Sequence, residues 1–524
     1  MSKALMIQGT GSGVGKSIIV AGLCRLFSDR GMDVSPFKAQ NMALNSFITK
    51  EGCEIGRAQA VQAEAARIEP SVDMNPILLK ATGEASSQVI MNGRVHSDMK
   101  ANDYYAFKHE AWKAVTQAYE RLSARHDFIL IEGAGSPAEI NLMEDEIVNM
   151  KVARHTNAPV LLVGDIDKGG VFASLYGTVE LLKDRKSNAD FIRAFIVNKF
   201  RGDISILEPG LRMIEEKTGR PVIGVIPYLG DLCLQEEDAI PADRLSNHFS
   251  LRSSSPAGRV KIVVLRLRYI ANFTDFDPFL FEPGVELTYS LWDGDIESAD
   301  IIFIPGSKNT VRDLLFLREY GVERNIRKAA EKGTPVIGIC GGYQMLGKTI
   351  YDPYGIESGQ RETSGLGFLD TETVFEKTKV TSQVEVYPAG IRSLGFAVDH
   401  KVRGYEIHMG RTTGDLGLFR IERSSPDSRN EGRGLLSEGS AKGNVWGTYI
   451  HGLFDDDDFR KRLLDSVRER KGLVPPREAI GYARLREKAM NEWAKTLEEA
   501  LDVAFIYELV GVARRKSGAV QTRL

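Results

Sequence analysis

The sequence predicts an α/β protein made of two parallel-sheet units in tandem. Three observations predict it. Short runs rich in Val, Ile and Leu alternate with helical patterns from residue 4 to about 228. The same alternation resumes at residue 259 after a stretch without it. At 524 residues the chain is also too long for one ordinary domain.

In chain order, "ALMIQG", "FILIEG", "PVLLVGDI", "FIRAFIVNKF" and "PVIGVIP" read as buried strands of a sheet covered on both faces. Between them "KSIIVAGLCRLFSDRG" repeats its apolar residues at three and four and stops at Gly31, and "EIGRAQAVQAEAARIE" behaves similarly. This first unit takes residues 1–230. Residues 231–258 lose the rhythm and end in Ser, Pro and Gly, which reads as a linker. "RVKIVVLRL", "ADIIFIPG" and "TPVIGIC" open the second unit, residues 259–470. A charged helical extension, 471–524, follows and includes "NEWAKTLEEALDVAFIYELVGVARR".

The composition is 43% hydrophobic and 27% charged with a net charge of −3, so no basic excess points to a nucleic-acid partner. Four cysteines without CxxC spacing argue against a disulfide framework or a structural zinc site. No apolar run reaches the roughly 18–20 residues that span a bilayer, and the N-terminus lacks a signal-peptide pattern. The expected setting is the cytoplasm; a homo-oligomer is left open.

The first chemical signal is "ALMIQGTGSGVGKSIIVAGL", a strand, a glycine-rich turn and a helix. Backbone N–H groups of such a turn surround phosphate oxygens, and the helix start adds a favourable dipole. Thr10, Gly11, Gly13, Val14, Gly15, Lys16 and Ser17 are the expected ATP-binding residues, with Lys16 on the terminal phosphates and Ser17 on Mg²⁺. Thr10 stands where the usual pattern has glycine, so the loop is a variant. Glu132, at the end of "FILIE", is suited to the same Mg²⁺. Asp165 and Asp167 in "GDIDKGG" sit at another strand end; a crevice role competes there with helix capping or simple solvation. Asn198 and Lys199 in "IVNKF" are candidates for the adenine or the substrate, or a polar strand end.

The second signal is "GICGGYQMLG". Cys340 lies in a G-x-C-x-G turn between an apolar run and a helical one, the arrangement that holds nucleophiles at a strained elbow. Gly341 N–H is one candidate oxyanion donor, and the Gly306-Ser307 turn of "FIPGSKNT" supplies Gly306 as the second. A thiol needs a proton acceptor; His451 in "TYIHGLF" and His408 in "YEIHMGR" both qualify. An ATP site and a thiol site in one chain suggest a glutamine-dependent amidoligase, in which one site activates a carboxylate and the other releases ammonia.

Beyond these, "FKAQNMALNS", "NPILLK", "SQVIMNG", "EGAGSPAEINL", "GDIDKGGVFAS", "VNKFRGD", "RGYEIHMGRT" and "GTYIHGLFD" occur in order. Together with the two signals they resemble the cobyric acid synthase family over essentially the full length. The resemblance implies an N-terminal P-loop domain similar to dethiobiotin synthetase and a C-terminal domain similar to class I glutamine amidotransferases. It implies Cys340 as glutaminase nucleophile and His451 as its base. It further implies amidation of the b, d, e and g carboxylates of adenosylcobyrinic acid a,c-diamide, with glutamine, water and MgATP consumed. Asn45, Asp165 and Asp167 are expected to face this corrinoid. Leu453 stands where ordinary class I glutaminases carry a glutamate, a departure shared by the cobyric acid synthase family, so something else must orient the histidine. Glu146 stands where the family usually has aspartate. The alternatives are a cobyrinic acid a,c-diamide synthase-type amidoligase and a nucleotide-switched, partner-binding ATPase.

Overall fold

The computed structural model describes residues 3–81, 86–142, 146–183, 188–230, 258–424 and 434–511. The expected linker, apart from Gly258, lies outside the described residues, as does Cys233.

The first sheet has six parallel strands in the order Val222–Pro227, Ile192–Phe200, Val160–Asp165, Lys3–Gly9, Phe128–Glu132, Val34–Phe37. Its central strands are buried along nearly their whole length, as helices on both faces require. Lys3–Gly9 lies between Val160–Asp165 and Phe128–Glu132, which brings the glycine-rich turn, Glu132 and Asp165 to one edge.

Helix Lys16–Asp29 follows the sequence expectation, whereas "EIGRAQAVQAEAARIE" is helical only over Arg57–Ala65, because Glu54–Gly56 pairs with Ser46–Ile48 as a small antiparallel ribbon. A four-stranded sheet of Gln40–Met42, Ile77–Ala81, Ser86–Met91 and Arg94–Lys100 was not expected. Its last hairpin turns on Asn92-Gly93, both at positive φ (49° and 74°), the pair that such tight turns favour.

The second unit has five parallel strands, Val285–Ser290, Val260–Leu265, Ile301–Ile304, Val336–Ile339 and Val445–Thr448, with Ser440–Lys442 antiparallel at the edge. Beside it a long hairpin, Thr371–Tyr387 against Val402–Gly414, lies over the first unit. Lys379 of this hairpin reaches buried Glu54 at 2.5 Å, and Glu54 also takes Lys80 at 2.8 Å. Burial alone would push the Glu54 carboxyl up, but Lys379 and Lys80 hold it well below the ordinary range.

The C-terminal helices return to the first sheet. Tyr482–Ala500 packs on Lys16–Asp29, with Trp493 Nε1 donating to Ile18 O at 2.7 Å and Arg25 meeting Glu487 at 2.7 Å. A Cβ at Gly22 would stand 2.5 Å from Leu497 Cδ1, so this glycine sets how closely the two helices approach. The helical stretch expected over "NEWAKTLEEALDVAFIYELVGVARR" breaks at Leu501, which bridges to Gly224; Asp502 then caps Val503–Val510 by accepting from Phe505 N at 2.9 Å. Among the described residues no helix is long and apolar enough to cross a membrane.

Candidate active sites

At the glycine-rich turn, Gly15 adopts φ 98°, and a Cβ there would lie 2.3 Å from Asn198 Nδ2. Only glycine fits. Protein donors take three of the turn's carbonyls: Lys16 Nζ bonds Gly11 O at 2.8 Å, Lys199 Nζ bonds Gly13 O at 2.6 Å, and Asn198 Nδ2 bonds Val14 O at 2.8 Å. What the turn can offer a ligand is therefore N–H groups, the requirement for a phosphate. Thr10 N–H is tied to Val163 O at 2.9 Å, and the Val14 side chain is buried. Asn198 and Lys199 thus brace the loop, Lys199 doing so from a left-handed φ of 63°.

Ser17 Oγ donates to Glu132 Oε1 at 2.7 Å. Glu132 is buried and also accepts from Lys38 at 2.7 Å and Gln62 at 2.6 Å. Burial opposes its charge, but Lys38 and the bonds from Lys38, Ser17 and Gln62 keep its carboxyl below the ordinary range. One ionised carboxylate beside one hydroxyl fits Mg²⁺, which takes few protein ligands and completes its shell with phosphates and water. Among the described residues there is no cluster of three or more His, Cys, Asp or Glu side chains placed to hold a metal.

Asp165 accepts from Lys199 at 2.8 Å and from Asp167 N at 2.9 Å, so it braces the loop as well. Asp167 is exposed and pairs with Arg201 at 3.3 Å. Asn45 is fully buried between the two units, not at an open face. Glu146 accepts from Val148, Asn149 and Lys151 N–H at 2.7, 2.6 and 2.6 Å, and so holds the start of helix Met150–Thr156.

In the second unit, strand Val336–Ile339 ends at Cys340, whose φ of 52° and ψ of −107° are strained for a residue with a Cβ. The elbow is anchored by Cys340 N–H donating to Thr448 O at 2.8 Å. A Cβ at Gly341 would meet Ser307 N at 2.8 Å, and one at Gly306 would meet His451 Cε1 at 3.7 Å. Gly306, Ser307 and Gly341 therefore lie close around the elbow and His451.

His451 is buried, and the Cys340 thiol is among the groups that favour its charged form. Its Nδ1 lies 2.7 Å from Asp275 Oδ2, its Nε2 lies 3.3 Å from Asn272 Nδ2, and Tyr405 stacks on the ring at 5.2 Å. Burial opposes imidazolium, but Asp275 and Cys340 override it and raise the imidazole to about 10. His408 instead bonds Gly410 O at 2.7 Å and stacks on Tyr449 at 3.8 Å. The carboxylate beside His451 thus comes from a different element, the turn Phe273–Phe281, and not from position 453, where Leu453 is buried in the core.

A nucleophile at a strained elbow, a histidine on it and a carboxylate behind the histidine can carry acyl transfer. The comparisons bear on whose chemistry this is. A model of the CobQ/CobB/MinD/ParA nucleotide binding domain matches residues 5–241, and one of the CobB/CobQ-like glutamine amidotransferase domain matches residues 261–459. The cobyric acid synthase of Thermodesulfovibrio yellowstonii is 49% identical over 98% of this chain and 100% of its own length. Those of Caldanaerobacter subterraneus (47%; 98% and 100%) and Clostridium tetani (46%; 97% and 99%) are similar to the same extent. The chain belongs to the cobyric acid synthase family.

Membership makes it an enzyme of cobalamin biosynthesis, with a nucleotide-binding part and a glutamine amidotransferase part. The elbow glycines can be tested for their steric role. A Cβ on Gly342 would come within 1.9 Å of Ile304 O, backbone on both sides, whereas one on Gly359 meets nothing within 4 Å. Gly342→Ala should lower stability by about 2–3 kcal/mol and Gly359→Ala by less than about 0.5, read as melting temperatures of the two variants.

Proposed function

We propose that this member amidates the b, d, e and g carboxylates of adenosylcobyrinic acid a,c-diamide, drawing ammonia from glutamine and driving force from ATP. The observation that carries the reading is the coexistence in one chain of the Ser17–Glu132 contact under a glycine-rich turn and the Cys340–His451–Asp275 line.

Cys340 Sγ attacks the glutamine carboxamide carbon, and the resulting oxyanion is received by the N–H groups of Gly306 and Gly341. His451 takes the thiol proton and passes it to the departing nitrogen, while Asp275 steadies the imidazolium. Water then cleaves the thioester, releasing glutamate and freeing the thiol. In the first unit a corrinoid carboxylate takes the γ-phosphoryl group of ATP, and ammonia displaces phosphate from the acyl phosphate to leave the amide. Mg²⁺, held by Ser17 and Glu132, would supply charge neutralisation across the phosphates. Lys16 approaches the same phosphates. Of the residues expected at the corrinoid, exposed Asp167 keeps that role in this proposal; Asp165 and Asn45 are engaged within the protein.

Mass spectrometry of cobyrinic acid a,c-diamide incubated with the protein, MgATP and glutamine tests this. Four successive carboxylate-to-amide shifts are expected. No shift would reject the assignment, and two shifts on cobyrinic acid itself would favour the related two-carboxylate amidoligase.

A further inference from the structure

We propose that the Asn45–Ser46 corner of the first unit is a positioning element for His451, so that the thiol site of the second unit is completed across the seam between them. The proposal rests on the reading of Cys340 and His451 as the glutaminase pair.

Four hydrogen bonds carry it. Asn45 Oδ1 accepts from Phe273 N at 3.1 Å, and Ser46 N donates to Asn272 Oδ1 at 3.0 Å, a reciprocal exchange of side chain and backbone. Asp275 N donates to Asn272 O at 3.1 Å, closing the turn that carries the carboxylate facing His451. Tyr405, whose ring stacks on His451, donates its hydroxyl to Ser46 O at 3.2 Å.

All three groups around the imidazole are thereby referred to residues 45 and 46. Asn272 and Tyr405 are held directly, and Asp275 through its turn. The corner itself is anchored in the first unit: Ser46 Oγ donates to Glu54 at 2.8 Å and accepts from Lys80 at 2.6 Å.

The direction of each bond matters. Because Ser46 N–H must meet an oxygen, Asn272 is fixed with its amide nitrogen toward His451 Nε2. In the neutral imidazole, a donor at Nε2 selects the tautomer with its lone pair on Nε2 and its Nδ1–H facing Asp275. Asn45 Nδ2, in contrast, is buried without a partner, so the side chain is there for its oxygen. Asn272 also holds a left-handed φ of 51°, a conformation its surroundings must enforce. A first unit that shifts relative to the second would release the turn and the tyrosine together. The glutaminase would then run well only when the unit that consumes its ammonia is in place.

The test is iodoacetamide labelling of Cys340 in the full chain as a function of pH, followed by peptide mass spectrometry to separate it from the other cysteines. Asn45→Ala should slow Cys340 labelling near neutral pH by at least about three-fold, because a misplaced histidine activates the thiol less. Glutamine-driven kcat should fall about ten-fold with glutamine KM within about two-fold. Glutamine-driven amidation should fall at least about five-fold further than ammonium-driven amidation.

Tyr405→Phe keeps the ring stack and deletes only the bond to Ser46 O; it should show the same pattern at about two- to three-fold, and serves alone if Asn45→Ala fails to fold. Labelling profiles that overlay the parent in the variants would overturn the proposal. Equal losses with glutamine and ammonium would also overturn it, since they signal general damage. A parent that makes no amide would reject the proposed function, while the seam would still be judged on labelling.

Discussion

Cys340→Ala is expected to lose at least ~10⁴-fold in glutamine-driven turnover while keeping the ammonium-driven reaction. Cys340 sits at the strained elbow. Its strained φ, the bond to Thr448 O and the glycine contacts on either side fix where its sulfur lies. Alanine retains the backbone demand and removes the sulfur, so binding of glutamine should survive. Amide formation by mass spectrometry with either nitrogen source separates the outcomes. Loss with both sources would mean that the elbow, not the thiol, had been damaged.

Asp275→Asn should lower glutaminase kcat on the order of 10²-fold, because the side chain keeps its size but can no longer stabilise imidazolium. The pH dependence of stability follows from the same pair. His451 is raised from its ordinary value near 6.5 to about 10, against burial, by Asp275 and Cys340. A raised folded value means a contribution that is complete below about pH 6.5 and is lost as pH rises through about 10. The variant lacks most of it. The gap in melting temperature between parent and variant should therefore be widest near pH 6 and close toward pH 10. A gap independent of pH would show that Asp275 acts there by packing alone.

Much of this was legible in the residues. The strands of both parallel sheets follow from apolar runs, and the phosphate turn and the thiol elbow from glycines around one reactive side chain. Asp275 was not legible, because it reaches His451 across 176 positions of sequence and has no fixed spacing from it. The available signal was an acid among Phe273, Phe276 and Phe279, where a buried charge must find a partner. The antiparallel sheet around Ile77–Lys100 went unread although Asn92-Gly93 marks its turn. That Asn45 meets Phe273 of the second unit was not legible either. Nothing in one sequence says that another unit will cover it. For the same reason a helical pattern at the C-terminal end reveals an apolar face but not the sheet it covers.

The return of Tyr482–Val510 to the first sheet has a consequence for how the protein is made. The sheet and helix Lys16–Asp29 leave the ribosome early, yet the helices that cover Ile18 and Gly22 come only after the entire thiol unit has been synthesised. The oldest part of the nascent chain is thus the last to be sealed. During that interval an apolar helix face stands open beside strands already paired, the condition under which nascent chains associate wrongly or occupy chaperones. Expressing the nucleotide-binding part alone, cut before residue 482, would make that interval permanent.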